Sequence, residues 1–457
     1  MKPKIVVVNI VGLTSGLLGE HTPFLSKWFA SSQHANIAPV LPAVTCSAQA
    51  TYMTGKTPAE HGIVGNGWYF QEECEIKFWR QSNRLIQAKK IWELAKEIDP
   101  SYTTANMCWW YNMYSTADFS LTPRPMYLAD GRKLPDCYTK PAQLREKLQD
   151  KLGIFPLFDY WGPRTTIRSS QWIADASKIV HQEYSPNLTL IYLPHLDYNL
   201  QRFGTDTAKI ATDLKEIDTL CEGLVTWYEQ QQVQVILLSE YGITNVNQPV
   251  HLNRVFRENG LIAVREELGL EIFDPGASKA FAVADHQIAH IYVNDKSLLP
   301  KVRTILEKTE GIELILDDEG KKKAHLNHER AGDFVVVADK NSWFTYYYWM
   351  DDAKAPDFAR IVEIHRKPGY DPVELFTNPE MKFLMPRIAW KLLKKKLGFR
   401  MLMDVIPLDA TLVKGSHGRI PESISDWPLL ATNNKNIQLA STINPTDVCS
   451  LILNHLK

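Results

Sequence analysis

The chain has 457 residues, of which 45% are hydrophobic, and its 51 basic and 52 acidic side chains give a formal net charge of -1. The hydrophobic share, together with 13 Trp, 18 Tyr and 17 Phe, is typical of a folded globular protein and excludes a largely disordered chain. Non-specific nucleic-acid binding requires clustered Lys and Arg, so the balanced charge argues against a nucleic-acid polymer as partner. It leaves room for one phosphate group at one site.

Buried strands alternate with amphipathic helices along the chain. Continuous apolar runs at residues 4–10, 188–193 and 233–238 predict buried strands, because strands covered on both faces are apolar throughout. Apolar residues three and four apart predict helices at residues 85–98 and 207–230. This alternation predicts an α/β fold with a mostly parallel central sheet flanked by helices. Ligands bind such sheets at the carboxyl ends of the strands, so we expect a site where these three strands end.

A smaller α/β subdomain is predicted to be inserted in this core. It occupies residues 257–328, which leaves residues 1–256 and 329–457 as the core. Its expected elements are a strand at residues 289–293, a helix at 298–308 and a loop at 317–323. The apolar run at residues 333–338 is then expected to return to the main sheet.

The cysteines and the N-terminus predict a cytoplasmic protein. The six cysteines are scattered without a C-x-x-C pair, which favours free thiols in a reducing compartment. The apolar run at residues 5–10 is shorter than the core of a signal peptide. No stretch approaches the roughly 20 apolar residues of a membrane span.

Residues 382–403, KFLMPRIAWKLLKKKLGFRMLM, combine basic side chains with Leu, Trp and Phe. Pro386 would either start or break a helix in this segment. The composition is typical of a surface helix that covers the core while its lysines extend into solvent. The alternative is an interfacial helix that lies on a membrane surface.

The segment at residues 42–55, PAVTCSAQATYMTG, places a hydroxyl group at a helix N-terminus. Residues 46–54 can form two helical turns that end at Gly55, a residue type favoured at helix C-termini. Thr45 would then lie where free N–H groups and the helix dipole favour an anion. Its hydroxyl is either a simple N-cap or a nucleophile that accepts a phosphoryl group.

Further motifs follow in an order that points to a family. In the turn at residues 61–66, HGIVGN, the glycines allow the Asn66 amide to face an oxyanion. Asp197 follows the second predicted strand, SEYGI at residues 239–243 follows the third, and GSHG occupies residues 415–418. With the Thr motif, these landmarks resemble the type I phosphodiesterase/nucleotide pyrophosphatase family of the alkaline phosphatase superfamily. The resemblance covers nearly the whole chain.

The resemblance implies an alkaline-phosphatase-like fold and a hydrolase of phosphodiesters, nucleotide pyrophosphates or phosphomonoesters. It implies that Thr45 forms a covalent phospho-enzyme, while two zinc-like ions clamp the phosphoryl group until water releases it. The implied cofactor is a divalent metal, zinc or manganese. The implied partner is a phosphorylated small molecule, and the sequence leaves the oligomeric state open.

The chain departs from the family at several of the seven positions that carry the nucleophile and the ion ligands. Three positions match, namely Thr45, Asp197 and His417, and Glu240 is a longer carboxylate than the family's Asp. Three positions depart, namely Val11, Gln201 and Tyr241. Valine ligates nothing, a Gln amide is a weak zinc ligand, and Tyr must first lose its proton. We therefore expect an incomplete two-zinc site, with one or two ions held by members of one set: Asp197, Glu240, His365 and His417.

Other polar residues admit two interpretations. In the segment at residues 363–372, EIHRKPGYDP, His365 could add a metal ligand, or the segment could be a Pro-Gly turn whose polar groups satisfy one another. His195 points away from Asp197 if the segment is extended, and is expected in the core or behind the ligands. Asp285 and His286 receive no assignment.

Aromatic and basic residues near these motifs are candidates for substrate binding. Residues 78–84, FWRQSNR, and 109–112, WWYN, offer rings that could stack on a base and cations that could pair with a phosphate. We predict contacts from Arg80, Trp110 and Tyr241. The alternative is ordinary packing of large aromatic residues beneath a loop.

Three functions follow from these alternatives. The leading one is a metal-dependent hydrolase of phosphoric esters with Thr45 as nucleophile. The second is a catalytically weak or inactive relative that binds a phosphorylated small molecule. The third is a membrane-surface enzyme that hydrolyses a lipid phosphate, which the basic segment at residues 382–403 suggests.

Overall fold

A computed structural model describes residues 2–457 of the chain. The strands are, in chain order, β1 (Ile5–Ile10), β2 (Gln33–Ile37), β3 (Gly67–Phe70), β4 (Glu75–Phe78), β5 (Thr104–Met107), β6 (Phe119–Pro123), β7 (Met126–Tyr127), β8 (Lys133–Leu134), β9 (Cys137–Lys140), β10 (Leu188–Leu193), β11 (Gln234–Leu238), β12 (Thr244–Asn245), β13 (Gln248–Val250), β14 (Val264–Glu267), β15 (Leu270–Phe273), β16 (Ala280–Asp285), β17 (Ile288–Val293), β18 (Ile312–Leu316), β19 (Phe334–Ala338), β20 (Ser342–Phe344), β21 (Gly415–Ser416), β22 (Leu429–Thr432) and β23 (Thr442–Ile443). The α-helices are α1 (Pro23–Ser31), α2 (Thr45–Thr54), α3 (Pro58–His61), α4 (Ile91–Ile98), α5 (Leu144–Leu152), α6 (Arg168–Tyr184), α7 (His195–Phe203), α8 (Ala211–Gln230), α9 (Leu252–Glu258), α10 (Leu299–Glu307), α11 (Asp318–Lys323), α12 (Leu384–Lys396) and α13 (Asp447–Asn454).

Nine strands form the central sheet, in the order β23-β2-β22-β11-β1-β10-β5-β6-β9. The central strand β1 runs parallel to both of its neighbours, so that Val7 lies beside Leu190 of β10 and Ile236 of β11. Every residue of β1 and β10 is buried, which explains why both strands are apolar throughout. The predicted α/β class, with a mostly parallel sheet, is confirmed.

The predicted helices begin later than their apolar patterns suggest. Helix α4 begins at Ile91, because the Glu93 carboxylate accepts a hydrogen bond from the Lys90 N–H at 2.9 Å and fixes the start of the helix there. Helix α8 begins at Ala211, because Asp206 accepts hydrogen bonds from the N–H groups that follow it and holds a separate turn.

A second, antiparallel sheet of four strands has the order β16-β17-β19-β18. The prediction that the run at residues 333–338 returns to the main sheet is wrong, because β19 pairs with β17 and β18 instead. A fully buried apolar strand does not reveal from its composition which sheet it joins. The predicted loop at residues 317–323 is also wrong: α11 forms there, and the Asp317 side chain caps it by accepting a hydrogen bond from the Gly320 N–H. The second sheet therefore extends past residue 328, while the division into domains stays a prediction.

Two observations bear on the cell-biological expectations. Within residues 2–457, no helix is both long and apolar enough to cross a membrane. All six cysteines are free thiols, as predicted, and five of them are buried. A cytoplasmic location stays a prediction.

Candidate active site

A cavity of about 940 Å³ lies where β10 and β11 end. Its wall includes Thr45, Asp197 and Tyr241, together with Arg80 and Trp110. The structure therefore brings the candidate nucleophile, two of the predicted metal ligands (Asp197 and His365) and all three predicted substrate contacts to one space. Three other predicted residues lie outside the wall of the cavity: Asn66, Glu240 and His417.

The Thr45 hydroxyl faces the cavity and does not cap its own helix. Helix α2 begins at Thr45, and the extended residue before it, Val44, is the N-cap. The interpretation of Thr45 as a simple N-cap is therefore wrong. The Thr45 hydroxyl instead lies 3.2 Å from the Tyr241 hydroxyl. Helix α2 ends, as predicted, at Gly55, whose φ of 66° suits a glycine.

Asp197 accepts hydrogen bonds on both oxygens of its carboxylate. The Tyr241 hydroxyl donates to Oδ1 at 3.1 Å, and Gln201 Nε2 donates to Oδ2 at 2.8 Å. Because Tyr241 has a single hydroxyl hydrogen, the Thr45 hydroxyl donates to the Tyr241 oxygen. A continuous chain of hydrogen bonds thus leads from Thr45 through Tyr241 to Asp197. Burial raises the pKa of Asp197 to about 7, although the bonds from Tyr241 and Gln201 oppose that rise.

Four aromatic rings are stacked beside Asp197. The ring centroids are 3.7 Å apart between Tyr241 and His417, 3.8 Å between His417 and His286, and 3.6 Å between His286 and Tyr370. Burial lowers the pKa of His417 well below its usual range. His417 is therefore neutral and carries its hydrogen on Nδ1, which donates to the Ala43 carbonyl at 2.7 Å. Its Nε2 lone pair lies 3.9 Å from Asp197 Oδ1.

Glu240 is buried behind Thr45 and is held by amides. Its Oε2 accepts hydrogen bonds from Asn9 Nδ2 at 2.6 Å and from Gln49 Nε2 at 2.7 Å. Burial raises the pKa of Glu240 to about 8, while the hydrogen bonds from Gln49 and Asn9 oppose that rise. At neutral pH this carboxyl group is mostly protonated.

Asn66 ties the start of α2 to the second sheet. Its Oδ1 accepts a hydrogen bond from the Cys46 N–H at 3.0 Å, and its own N–H and Nδ2 donate to Asp285 at 2.7 Å and 3.0 Å. Asp285 ends β16, and the next residue, His286, lines the cavity. The sequence analysis missed both residues. The one available signal was an adjacent Asp and His at the end of an apolar strand, which is too common to be specific.

The donors around Thr45 do not fit the two-ion site that the family resemblance implies. Val11 is fully buried in the apolar core and offers no ligand atom. Both oxygens of Asp197 already accept hydrogen bonds, and Glu240 is held by two amides. Gln201 and Tyr241, which replace two family ligands, are the residues that donate to Asp197. Two of the family's ion ligands are therefore replaced by neutral hydrogen-bond donors.

The four predicted metal ligands do not form one cluster. Across residues 2–457, the only group of three or more His, Cys, Asp or Glu ligand atoms within 4.8 Å of one another is formed by His195, Asp213 and Glu216. His195 Nε2 lies 3.4 Å from Asp213 Oδ1 and 3.1 Å from Glu216 Oε2. Burial lowers the pKa of His195 to about 4, so its ring is neutral and can ligate a cation. This group is a possible metal site, and it includes none of the predicted ligands.

His365 lies in a different part of the cavity, beside cations. Its pKa is lowered to about 4 by burial and by the charges of Lys133, Arg80 and Arg124. Arg80, Arg124 and Lys133 line the cavity and, within residues 2–457, form no ion pair with a carboxylate. At Lys367, two residues further along, the structure supports the interpretation of a turn whose polar groups satisfy one another, because the Lys367 ammonium pairs with the Asp371 carboxylate at 2.8 Å.

The aromatic wall of the cavity is held in strained backbone conformations. The rings of Trp79 and Trp110 are 4.9 Å apart. Trp79, Tyr114 and His286 line the cavity with φ values of 59°, 60° and 62°. Each of these conformations costs on the order of 1 kcal/mol and concentrates at ligand-binding sites.

Solved structures with the same fold include two kinds of hydrolase. Murine ectonucleotide pyrophosphatase/phosphodiesterase 5 aligns with a TM-score of 0.58 and 15% identity over 99% of this chain and 95% of that chain. Phosphonoacetate hydrolase from Sinorhizobium meliloti 1021, in complex with phosphonoacetate, aligns with a TM-score of 0.59 and 13% identity over 100% and 96% of the two chains. At these identities the likeness establishes the alkaline-phosphatase-like fold.

Sequence comparison identifies the family. Ectonucleotide pyrophosphatase/phosphodiesterase 2 from Saccharomyces cerevisiae is 26% identical over 264 residues, which cover 53% of this chain and 48% of that protein. The chain thus spans about half the length of the curated relatives it matches. The family model for type I phosphodiesterase/nucleotide pyrophosphatase matches residues 5–371. The chain belongs to the type I phosphodiesterase/nucleotide pyrophosphatase family.

Proposed function

We propose that this protein hydrolyses a phosphoric ester of a small molecule, with Thr45 as the nucleophile. The observation that carries the proposal is the chain of hydrogen bonds from Thr45 through Tyr241 to Asp197 at the wall of the cavity. Family membership supports the reaction class. The chain of hydrogen bonds supplies a route by which the nucleophile can lose its proton.

The proposed first step forms a bond from Thr45 Oγ to phosphorus and breaks the bond from phosphorus to the leaving oxygen. The hydroxyl proton passes to the Tyr241 oxygen as the Tyr241 proton passes to Asp197, and the leaving oxygen takes a proton from solvent. Water then attacks the phosphorus of phosphorylated Thr45: the hydroxyl of the water stays on phosphorus, its other proton goes to solvent, and the bond from phosphorus to Thr45 Oγ breaks. The Thr45 oxygen takes back the proton held by Asp197 through Tyr241, which restores the hydroxyl and the Asp197 carboxylate. Asp197 suits the role of base because its pKa, raised to about 7 by burial, is close to neutral pH.

The walls of the cavity suit an anion attached to a ring. Arg80, Arg124 and Lys133 can neutralise phosphate oxygens through charge-assisted hydrogen bonds. Trp79 and Trp110 offer aromatic faces beside them. The structure of the inactive murine relative in complex with AMP, a phosphate joined to a nucleoside, supports this class of ligand.

We propose that the predicted metal ion binds away from Thr45. The residues around Thr45 do not fit two ions, so the proposed reaction steps use no ion at that place. We assign one divalent ion, zinc or manganese, to His195, Asp213 and Glu216, whose neutral imidazole and carboxylates suit either ion. His195 and Asp197 both lie in the first turn of α7, so the ion would stabilise the helix that carries the base.

Removal of this ion should lower stability. We expect purified protein to contain about one zinc or manganese per chain, and the His195→Ala variant to contain none. Chelation should lower the melting temperature of the wild type by several degrees and leave that of His195→Ala unchanged. His181→Ala is the matched control, because His181 is a buried histidine outside the cluster. Equal metal content in wild type and His195→Ala would contradict the assignment.

A second candidate function is the binding of a phosphorylated small molecule without turnover. It is favoured by one observation, the replacement of family ligands by Val11, Gln201 and Tyr241. The two functions predict different roles for the Thr45 hydroxyl: a hydrolase depends on it for turnover, whereas a binding protein needs only the cavity walls.

The decisive experiment compares the wild type with Thr45→Ala and Thr45→Ser. An aryl phosphodiester and an aryl phosphomonoester serve as substrates, each with and without added manganese or zinc. We expect Thr45→Ala to lose at least about a thousandfold in kcat and Thr45→Ser to retain activity, because serine keeps the hydroxyl. Intact mass of the acid-quenched wild type should show a phosphoryl adduct.

Binding measurements separate the alternatives. If the wild type and Thr45→Ala bind a nucleoside monophosphate with equal affinity and neither variant turns over any ester, the binding function replaces the hydrolase. If Thr45→Ala retains wild-type turnover, the nucleophile assignment fails.

A further inference from the structure

Helix α12 and the residues beside it expose an unusual concentration of apolar side chains. In the segment at residues 383–402, eight large apolar residues are more than 40% exposed: Phe383, Met385, Trp390, Leu392, Leu393, Leu397, Phe399 and Leu402. No residue of α12 is buried. The helix covers the core only through the half-buried Leu384 and Ile388, and most of its other large apolar side chains stay exposed. Exposed apolar patches of this kind mark interaction surfaces.

Several apolar side chains of α12 point away from the rest of the protein. Leu384 and Ile388, one turn apart, are the helix residues that pack against the aromatic core. At 100° per residue, Trp390 and Leu393 lie on the opposite side of the helix, and Met385 lies on its flank. A helix that covers a core shows the reverse arrangement, with its apolar face inward.

The same segment carries a strong positive charge. Residues 382–403 contain seven Lys or Arg side chains and no Asp or Glu, in a chain whose net charge is -1. Arg387 and Lys394 flank the apolar face, and the Lys394 ammonium lies 5.5 Å from the centre of the Trp390 ring. One lysine of the helix, Lys391, is neutralised by Asp404.

The segment lies at the mouth of the candidate active site. Ile388, Leu392 and Lys395 of α12 line the cavity that contains Thr45. Tyr114 and Phe158, which also line the cavity, are 61% and 50% exposed. Exposed apolar side chains therefore occur both on α12 and in the wall of the cavity. The match to the family ends at residue 371, so the segment is a feature of this chain outside the matched region.

We propose that residues 382–403 dock the protein on an anionic membrane surface. An apolar face directed outward, flanked by lysines and arginines, matches a bilayer interface, into which Trp, Phe and Leu insert while cations meet acidic headgroups. A second copy of this chain is the poorer occupant, because the contact would bring two strongly positive segments together. Docking in this position places a helix that lines the cavity against the membrane surface. The docking proposal stands independently of the reaction at Thr45.

The test uses the full chain and vesicles of phosphatidylglycerol mixed with phosphatidylcholine, compared with vesicles of phosphatidylcholine alone. We expect co-sedimentation with the anionic vesicles, and binding that weakens when the salt concentration is raised to 0.5 M. Trp390→Ser with Leu393→Ser removes apolar contacts, and Lys394→Glu with Lys396→Glu reverses charge. Each pair should weaken binding at least about tenfold. None of these four residues lines the cavity or is buried, so the variants should fold.

Matched controls keep the interpretation specific. Leu268→Ser removes a fully exposed leucine elsewhere, and Lys322→Glu with Lys323→Glu reverses charge on α11. These controls should bind within twofold of the wild type. Failure of the wild type to bind anionic vesicles, or equal binding by the α12 variants, would overturn the proposal. A lipid-free dimer that Trp390→Ser with Leu393→Ser dissociates would also overturn it, because a second copy would then cover the helix.

Discussion

The cavity has two regions that differ in whether their polar and charged groups have partners within the protein. At the Thr45 end, the buried groups pair with one another: Asp197 accepts from Tyr241 and Gln201, and Glu240 accepts from Asn9 and Gln49. At the outer wall, Arg80, Arg124 and Lys133 line the cavity without a carboxylate partner in the described chain. The polar groups of the Thr45 end are thus mostly paired with one another, with Asn9 Oδ1 and Glu240 Oε1 as the exceptions, whereas the outer wall lacks a counter-charge.

This difference separates two tasks that metal ions combine in a two-metal site. Such ions both neutralise the phosphoryl group and activate the nucleophile. Here the cations of the outer wall suit the first task, and the proton route from Thr45 to Asp197 suits the second. Substitutions in the two regions should therefore affect different kinetic constants.

The largest effect is expected at the Thr45 end. Asp197→Asn should lower kcat by about 100-fold to 10,000-fold, because it removes the proton acceptor and keeps the shape. Tyr241→Phe should lower it by a similar or smaller factor, because it breaks the route to Asp197. The pKa of Asp197 is about 7, so the carboxylate fraction and kcat/KM should rise from pH 6 to pH 8 in the wild type. A wild-type pH profile that persists in Asp197→Asn would refute the proton route.

A smaller effect on a different constant is expected at the outer wall. Arg80→Ala and Arg124→Ala should each raise KM by about 10-fold to 100-fold with little change in kcat, because each removes a charge-assisted hydrogen bond to phosphate. Arg265→Ala, an exposed arginine in β14, is the control. If both wall variants instead lower kcat and leave KM unchanged, the wall does not perform the binding task.

The smallest effect is expected on stability. The pKa of Glu240 is raised to about 8, well above its value near 4 in the unfolded chain, so the folded state holds an extra proton between these values. That favourable contribution is complete below about pH 4 and is lost as the pH rises through 8. Urea unfolding should show stability falling from pH 6 to pH 8, with Glu240 responsible for on the order of 2 kcal/mol. Glu240→Gln, which imitates the protonated group, should remove that part of the pH dependence of the free energy of unfolding. If the free energy of unfolding of this variant falls from pH 6 to pH 8 as steeply as that of the wild type, the raised pKa of Glu240 is contradicted.

The strands and the helix that carries the candidate nucleophile were predictable because their signals are local. Buried parallel strands are continuously apolar, so β1, β10 and β11 stand out in the sequence. The helix that begins at Thr45 ends at Gly55, and glycine is a residue type that marks helix C-termini in a sequence. The strand β19 was assigned to the wrong sheet, because pairing partners far apart in sequence leave no trace in a strand's own composition.

The candidate site was only partly predictable. The lining residues Arg80, Trp110 and Tyr241 were found because each lies near a motif. His286 was missed, because it reaches the cavity from β16 of the second sheet. The cluster of His195, Asp213 and Glu216 was missed because it joins two helices, whose relative placement the sequence does not give.

By itself, the sequence determined the fold class, the family resemblance and the loss of family ligands at Val11, Gln201 and Tyr241, since these depend on residue identity and order. Only the tertiary structure decided what replaced those ligands. It placed Gln201 and Tyr241 as hydrogen-bond donors to Asp197 and left Val11 in the apolar core. It also turned the apolar face of α12 outward. These outcomes depend on distances and directions between distant segments, and those are set by packing rather than by local sequence.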